Sequence, residues 1–364
     1  MQVRNASGSA LKAMLAVTVA IGAMLAAVTA ANAQTIGGGG YVFKPVQVPG
    51  ASATVVNGLN DNGQTVGSFT DASGQMEGFV DTNGSFAAVN ISGAVGTSVT
   101  GITDFGQFAG YSVAASGNVS GFVNSMGTLA TLNVAGSNMT FVTGISNGFA
   151  ASEYPGAVSG YSIGSGSYGP GAVSGFMQYD GPPTSFNDPS GVKGTWLTSI
   201  VDGGGFAGYY ADASGKMNGF FTSGPGGDWT TVDVPGAIGT YVTAINGMAE
   251  SGSGVFPAYL VGYYENSSGN YSGFIDAYGS FTTIDAPGAA NTYLTGMNMA
   301  GEMSGYTTGP SGDSAVGFVA SQDDTVPLPV SGGTLPGGLL LLGWFGRGLA
   351  RRKGQSGQTQ STKA

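Results

Sequence analysis

The chain has 364 residues, of which 68 are Gly, 41% are hydrophobic and only 8% are charged. The hydrophobic share is too high for a disordered linker, and the absence of Cys and His excludes disulfides, thiolate or imidazole catalysis, and zinc sites built on either residue. Residues 34–330 include 3 basic and 20 acidic side chains, and this charge of −17 disfavours nucleic acid and anionic membrane surfaces as partners.

The first predicted element is a secretory signal peptide over residues 1–33. Arg4 and Lys12 precede an apolar run from Met14 to Val28, and small residues follow it in the pattern that a signal peptidase cuts. The residues at the predicted cleavage site are Ala31, Ala33 and Gln34. We therefore expect export, with a Gly-rich linker over residues 34–40. A retained anchor or a buried helix is the alternative.

Residues 41–320 contain six copies of one pattern. A Gly-Phe pair marks every copy, at Gly78-Phe79, Gly121-Phe122, Gly175-Phe176, Gly219-Phe220, Gly273-Phe274 and Gly317-Phe318. Before each pair come a Thr-x-Val-Thr-Gly-Ile-like segment and a Gly-aromatic unit, and a Pro-Gly-Ala-like turn ends the copy. The period of 43–54 residues predicts four short strands in each unit.

Six units of four strands are typical of a β-propeller. Tyr41–Val48 has the pattern of a fourth strand with no third strand before it, and Gly317–Val319 that of a third strand with no fourth after it. We therefore predict an all-β, six-bladed propeller in which the N-terminal strand completes the last blade, and in which Tyr and Phe fill the space between blades. An open β-solenoid adhesin is the alternative, because a solenoid needs no closure. Two insertions, Asn147–Val158 and Asn246–Leu260, are expected as loops in the third and fifth units.

The repeats resemble the extracellular HAF-type repeat family over about residues 41–320. The Asn-x-x-Gly and Pro-Gly-Ala elements that carry this resemblance are Asn60, Gly63, Pro235, Gly236, Ala237, Pro287, Gly288 and Ala289. The resemblance implies an extracellular protein and brings no established activity with it.

Carboxylates are the only credible acid–base groups in the body. The recurring aspartates are Asp61, Asp71, Asp104, Asp202, Asp212, Asp233, Asp276 and Asp285. Because most of them recur at equivalent positions, we expect turn and edge roles, no catalytic residue and no cofactor. Two alternatives stay open: glycan cleavage by an Asp/Glu pair, and Ca²⁺ bound by Asp- and Asn-containing turns. For Trp196, Trp229, Tyr154 and Tyr168 we favour core packing over stacking on sugars.

The C-terminal part comprises a linker over residues 321–334 and a segment over residues 335–364. The linker contains the motif Val326, Pro327, Leu328 and Pro329; the segment has a short apolar helix, the basic cluster Arg351, Arg352 and Lys353, and a polar tail. The apolar stretch Leu335–Ala350 is shorter than the ~20 residues of a comfortable membrane span. The basic cluster would stay on the cytoplasmic side.

This tail resembles the PEP-CTERM sorting signals of Gram-negative bacteria, in the variant that begins with Val-Pro-Leu-Pro. The resemblance implies a transient anchor in the inner membrane and cutting by an exosortase-type enzyme near the Pro motif. A plain C-terminal anchor is the alternative. We therefore predict an exported, non-catalytic protein of the cell surface or extracellular matrix, with a structural or adhesive role and an association with extracellular polysaccharide. A carbohydrate-active propeller enzyme is the alternative function.

Overall fold

The computed structural model describes residues 35–36, 40–125, 127–148, 156–166, 169–179, 181–202, 204–251, 254–310 and 314–323. These residues form β-strands and turns, and none of them belongs to an α-helix. No helix in this part of the chain has the length and apolar character that crossing a bilayer requires. The predicted signal peptide with its cleavage site, the Val-Pro-Leu-Pro motif, the basic cluster, Tyr154 and Tyr168 lie outside the described residues. Residues 324–364, with the predicted apolar helix, also lie outside the described residues.

The described strands are arranged in six blades of antiparallel strands, one for each sequence repeat, and single parallel residue pairs join blades 1 to 2, 2 to 3 and 3 to 4. Two strands precede the first complete sheet, β1 (Thr35–Ile36) and β2 (Tyr41–Val46). Blade 1 contains β3 (Ala53–Leu59), β4 (Gln64–Thr70), β5 (Met76–Thr82) and β6 (Ser85–Val89). Blade 2 contains β7 (Ala94–Ile102), β8 (Phe108–Ala114), β9 (Val119–Ser125) and β10 (Thr128–Leu132). Blade 3 contains β11 (Ser137–Ile145), β12 (Val158–Gly166), β13 (Gly169–Gln178) and β14 (Thr184–Ser185).

The second half of the chain repeats this arrangement. Blade 4 contains β15 (Gly194–Ile200), β16 (Phe206–Ala211), β17 (Met217–Thr222) and β18 (Trp229–Val232). Blade 5 contains β19 (Gly239–Ser251), β20 (Gly254–Glu265), β21 (Tyr271–Ala277) and β22 (Ser280–Ile284). Blade 6 contains β23 (Asn291–Met297), β24 (Met303–Thr308) and β25 (Val316–Gln322). The order of strands in each unit is therefore the predicted one.

The predicted closure of the ring is confirmed. Strand β2 pairs antiparallel with β25, from Tyr41 opposite Gln322 to Val46 opposite Gly317. Phe43 of the closing strand is buried and packs edge-on against Phe318, with ring centroids 5.0 Å apart. Next to this pairing, the backbone N–H of Asp323 donates to the carbonyl oxygen of Gly40 at 2.9 Å. Both ends of the described propeller therefore meet in blade 6, which leaves no open solenoid end.

The repeated glycines make room for the repeated aromatic and aliphatic side chains. In the Gly-aromatic unit, a Cβ on Gly262 would lie 2.0 Å from the carbonyl oxygen of Tyr241 on the neighbouring strand. In the Gly-Phe unit, a Cβ on Gly317 would lie 2.6 Å from Val56 Cγ2 of the next blade. The phenylalanines of the six Gly-Phe pairs are all buried, and they are Phe79, Phe122, Phe176, Phe220, Phe274 and Phe318. The repeated glycines therefore occur where strands pack closely, both within a blade and between blades.

The Pro-Gly-Ala elements form the turns between blades, as predicted. The N–H of Ala237 donates to the carbonyl oxygen of Val234 at 3.0 Å, and Gly236 has a φ of 81°, which favours Gly. The insertion in the fifth unit is not a loop, however. Strands β19 and β20 continue to pair through it, out to Ser251 opposite Gly254, because antiparallel pairing satisfies the backbone groups of both arms. The insertion is therefore an extension of the hairpin.

Candidate functional site

A ring of side-chain hydrogen bonds surrounds the axis of the propeller. In five units, the second Thr of the first strand donates its hydroxyl to a backbone carbonyl on the first strand of the next blade. The pairs are Thr100–Val142 (2.8 Å), Thr143–Leu197 (2.7 Å), Thr198–Val242 (2.9 Å), Thr243–Leu294 (2.8 Å) and Thr295–Val56 (2.8 Å). In unit 1, Asn57 Nδ2 donates to the carbonyl oxygen of Val99 at 2.9 Å. These six bonds form an unbroken circle, which we call the threonine ring.

A second set of contacts, at four of the six blade junctions, lies where the first strands end. Asp61 Oδ1 accepts the N–H of Met299 at 2.7 Å, and Asp104 Oδ1 accepts the N–H of Asp61 at 2.9 Å. Asp202 Oδ1 accepts the N–H of Gly148 at 2.9 Å, and Asn147 Oδ1 accepts the N–H of Asp104 at 2.8 Å. Each of these side chains therefore holds the loop of a neighbouring blade. We call the set Asp61, Asp104, Asn147 and Asp202 the carboxylate belt.

The threonine ring and the carboxylate belt line a cavity of about 320 Å³ on the axis. All six first strands contribute to its wall, from Asn57–Asp61 in unit 1 to Thr295–Met299 in unit 6. Amide groups cross-link this wall as well, since Asn246 Nδ2 donates to the carbonyl oxygen of Asn298 at 2.7 Å. The volume lies at the lower end of small-molecule sites. The cavity can hold a small polar ligand against hydroxyl, amide and carboxylate groups.

Electrostatics distinguishes the carboxylates of the belt. Burial raises the pKa of Asp61, the N–H of Met299 partly opposes this, and the charges of Asp104 and Glu302 raise the pKa further. Asp104 is more fully bonded, because its Oδ2 also accepts from Asn147 Nδ2 at 2.9 Å. The environment of Asp61 therefore favours its protonated form.

The aromatic residues predicted between blades form a belt on the axis at the opposite end from the cavity. Within units 3–6, aromatic side chains on the first and second strands stack in pairs, and the centroid distances are 4.7 Å for Phe141–Tyr161, 5.3 Å for Trp196–Tyr209, 4.8 Å for Tyr241–Tyr263 and 4.7 Å for Tyr293–Tyr306. Edge contacts join neighbouring blades, with centroid distances of 5.0 Å for Tyr111–Phe141, 5.1 Å for Tyr209–Tyr241 and 5.0 Å for Tyr263–Tyr293. These edge contacts confirm the prediction that aromatic side chains pack between neighbouring blades.

Burial controls the ionisation of these phenols. Burial, with a contribution from Tyr111, raises the pKa of Tyr161 to about 12. Burial, with contributions from Tyr293 and Tyr111, raises the pKa of Tyr306 to about 12 as well. The tyrosines of these aromatic pairs therefore remain neutral at physiological pH. Their hydroxyl groups lie close enough across the axis to raise one another's pKa.

The other predicted aspartates are not gathered at one site. Asp71 and Asp212 each accept hydrogen bonds from the backbone N–H groups two and four residues later in the chain. These are the turn roles expected for them. Asp276 is buried and accepts the N–H of Gly279 at 2.7 Å, and Asp233 pairs with Lys216. Burial raises the pKa of Asp285, against opposing hydrogen bonds from Ser272 and Gly273. In the described ranges, no group of three or more acidic side chains could hold a metal ion.

Trp196 and Trp229 have the packing roles that the sequence favoured. Trp196 stacks on Tyr209, whereas Trp229 contacts Phe206 and Phe220, with ring centroids 5.5 and 4.9 Å away. The residues that the sequence did not single out are the ring threonines. Their recurrence in every Thr-x-Val-Thr-Gly-Ile segment after the first unit was the available signal, and Asn57 at the same place in unit 1 obscured it.

No protein-family model and no curated protein sequence matches the chain. Among solved structures, the chain is similar to the Aleuria aurantia lectin in complex with alpha-methyl-L-fucoside, at 14% identity and a TM-score of 0.45 over 74% of this chain and 91% of that chain. It is similar to AofleA from Arthrobotrys oligospora, at 12% identity and a TM-score of 0.45 over 78% and 84% of the two chains. It is also similar to the BP39L lectin from Burkholderia pseudomallei, at 12% identity and a TM-score of 0.42 over 76% and 82%. At these values, no property of the lectins is carried over to this chain.

Proposed function

We propose that this chain is an exported, non-catalytic propeller that acts at the cell surface or in the extracellular matrix, with a structural or adhesive role in association with polysaccharide. The observation that carries the proposal is the use of the axial carboxylates. Asp61, Asp104 and Asp202 each accept a backbone N–H from a neighbouring blade. A carboxylate that accepts a backbone N–H from a neighbouring blade has a structural role. A general base needs a carboxylate oxygen directed at its substrate.

Rigidity supports the same proposal. The threonine ring joins every blade to both of its neighbours, and the carboxylate belt adds further contacts between blades. The pairing of β2 with β25 closes the ring of blades. A surface built on such a scaffold presents its groups without the ordering cost that flexible loops incur on binding. The acidic body suits a partner that is not itself anionic.

The proposed export and processing are supported by the two flanking sequence signals. Gly40 and Asp323 are hydrogen-bonded neighbours in the same blade, and cuts before Gln34 and near Val326–Pro329 would leave the pairs β1–β2 and β2–β25 whole. We propose signal peptidase cleavage before Gln34, and an exosortase-type enzyme that cuts near Val326–Pro329. Intact-mass measurement of the protein released from a producing bacterium tests this. A mass that includes residues 1–33 or Arg351–Lys353 would contradict the corresponding cleavage.

One observation favours the enzymatic alternative, in which an Asp/Glu pair cleaves glycans. The pKa of Asp61 is raised by burial and by the charges of Asp104 and Glu302, as is typical of a general acid. Polysaccharide binding and reducing-end release should therefore be measured together, for the unaltered chain and for Asp61→Asn. We expect binding without turnover in both proteins. Turnover that Asp61→Asn abolishes would replace our proposal with the enzymatic one.

A further inference from the structure

Unit 5 departs from the repeat at two positions that face each other across one hairpin. Glu265 and Tyr271 are register partners on β20 and β21. The corresponding pairs in units 1–4 are Thr70–Met76, Val113–Val119, Ile163–Val173 and Ala211–Met217. Only unit 5 therefore combines a carboxylate with an aromatic side chain at this pair. Since the other units fold with aliphatic residues or Thr there, the fold itself does not require Glu265 or Tyr271.

Tyr271 completes a cluster of four tyrosines between blades 5 and 6. Its ring centroid lies 5.2 Å from that of Tyr293, 5.7 Å from Tyr263 and 6.3 Å from Tyr241. All four tyrosines are only partly buried, and Glu265 is partly buried beside them. The register of the strands places this cluster at the end of the propeller opposite the axial cavity. We call Tyr241, Tyr263, Tyr271, Tyr293 and Glu265 the tyrosine patch.

Hydrogen bonds from blade 6 hold the patch in place. Asn291 Oδ1 accepts the N–H of Tyr271 at 2.9 Å, and Asn291 Nδ2 donates to Thr308 Oγ1 at 3.0 Å. The Glu265 carboxylate acts on the neighbouring phenol. Burial raises the pKa of Tyr271, and the negative charge of Glu265 raises it further. The patch therefore joins aromatic surface to an acceptor on a rigid support.

The geometry points to a glycan site at the tyrosine patch, and its ligand is a neutral polysaccharide; this assignment rests on the proposed function. The partly exposed tyrosine rings offer flat apolar surface of the kind that packs against the C–H face of a pyranose. The Glu265 carboxylate can accept hydrogen bonds from sugar hydroxyls, and the phenols can both donate and accept. An acidic polysaccharide would meet the Glu265 charge and the strongly acidic body of the chain, so it is disfavoured.

The repeat itself supplies the test variants. Tyr271→Val introduces the residue found at this place in units 2 and 3, and Glu265→Ala introduces the residue of unit 4. Both should therefore keep the fold, which circular dichroism and thermal unfolding would verify. The control is Tyr278→Ala, because Tyr278 is 68% exposed in the same blade and lies at the opposite end of β21 from the patch. Mobility in native gels cast with dextran, galactomannan, xyloglucan or alginate measures binding.

We expect at least one neutral polysaccharide to retard the unaltered chain, with no retardation by alginate. Tyr271→Val should weaken this binding about tenfold or more and Glu265→Ala about three- to tenfold, as for central anchors of a binding surface, whereas Tyr278→Ala should bind like the unaltered chain. Neutral-glycan binding that is equal in all four proteins would overturn the patch and leave the proposed function standing. An absence of retardation by all four polysaccharides would overturn both, and preferential binding of alginate would overturn the patch's assigned ligand class alone.

Discussion

The hydroxyl of Thr295 donates a 2.8 Å hydrogen bond to the carbonyl oxygen of Val56, which lies 239 positions earlier in the sequence. The same bond recurs between successive units at much shorter sequence separations, of 42–54 positions. The link from the last unit to the first is therefore chemically equal to the other links of the threonine ring. Ring closure depends on side chains at the axis as well as on strand pairing at the rim.

Removal of one hydroxyl from the threonine ring should destabilise the protein. Thr243 Oγ1 lies 2.8 Å from the carbonyl oxygen of Leu294 and 3.1 Å from that of Val261. Thr243→Val keeps the shape and leaves these acceptors without their donor, so we expect a loss of about 1–3 kcal/mol in the free energy of unfolding. Denaturant unfolding measures it. Thr230→Val on the exposed part of β18 is the control, and an equal loss in both variants would contradict a special role for the ring.

Truncation of a buried side chain on the closing strand should have a larger effect. Phe43 is 3% exposed and packs on Phe318. Phe43→Ala should lower the free energy of unfolding by about 3–5 kcal/mol, as for other buried phenylalanines. Lys44→Ala, on the exposed face of the same strand, should change it by less than about 0.5 kcal/mol. A small effect of Phe43→Ala in the same unfolding assay would mean that the ring holds without tight packing of β2.

The close approach at the Gly-aromatic unit can be tested within one blade. Gly262→Ala would place a methyl group 2.0 Å from the carbonyl oxygen of Tyr241, and we expect a loss of about 3 kcal/mol or more, because the backbone must move. Gly269→Ala has nothing within 4 Å of its Cβ and is disfavoured only by a φ of 79°, which costs about 1–2 kcal/mol. Thermal unfolding of the two variants should therefore rank Gly262→Ala as the less stable. The reverse order would refute the packing role.

Two aspartates at different positions of the repeat should respond to pH in opposite ways. Burial raises the pKa of Asp276, so the folded state favours its protonated form, and the carboxylate lowers stability above that pKa. Asp276→Asn should therefore raise the melting temperature at pH 7, and the gain should shrink as the pH falls through the folded pKa towards 3.8. Asn124 accepts the N–H of Gly127 at the equivalent place in unit 2, so Asn keeps the turn.

Asp212 provides the opposite case. The hydroxyl of Ser214, followed by backbone N–H groups, lowers its pKa, so its carboxylate stabilises the folded state above about pH 3.8. This contribution is lost as the pH falls below that value. Asp212→Asn should lower the melting temperature slightly at pH 7, and the difference should vanish at the lowest pH. Changes of the same sign in the two variants across the pH range would contradict the assigned environments.

The fold could be predicted from the sequence in detail because each unit repeats the same positions of glycine and aromatic residues, and therefore the same packing. The unpaired fourth strand at Tyr41 and the unpaired third strand at Phe318 had to complement each other, and they do. The extended hairpin of β19 and β20 was missed because Gly247 and Pro257 resemble loop residues, although Pro257 pairs with Met248. The carboxylate belt was not foreseen either. Asp61 and Asp104 recur like turn residues, and only the placement of neighbouring blades shows that they bond from one blade to the next.

The tyrosine patch illustrates the converse limit. Repetition reports what every blade needs, so residues that occur once, such as Glu265 and Tyr271, carry no signal in the repeat pattern. Their position beside Tyr293 depends on the junction of two sheets, and this becomes visible only in the folded chain.

The hydrogen bond between Asp323 and Gly40 has a topological consequence. A short peptide joining these two positions would make the order of the units cyclic, since every blade already has equivalent neighbours. New termini at the exposed Pro-Gly-Ala turn around Gly236 would then give a circular permutant in which every strand pair of the original except β1 with β2 stays intact.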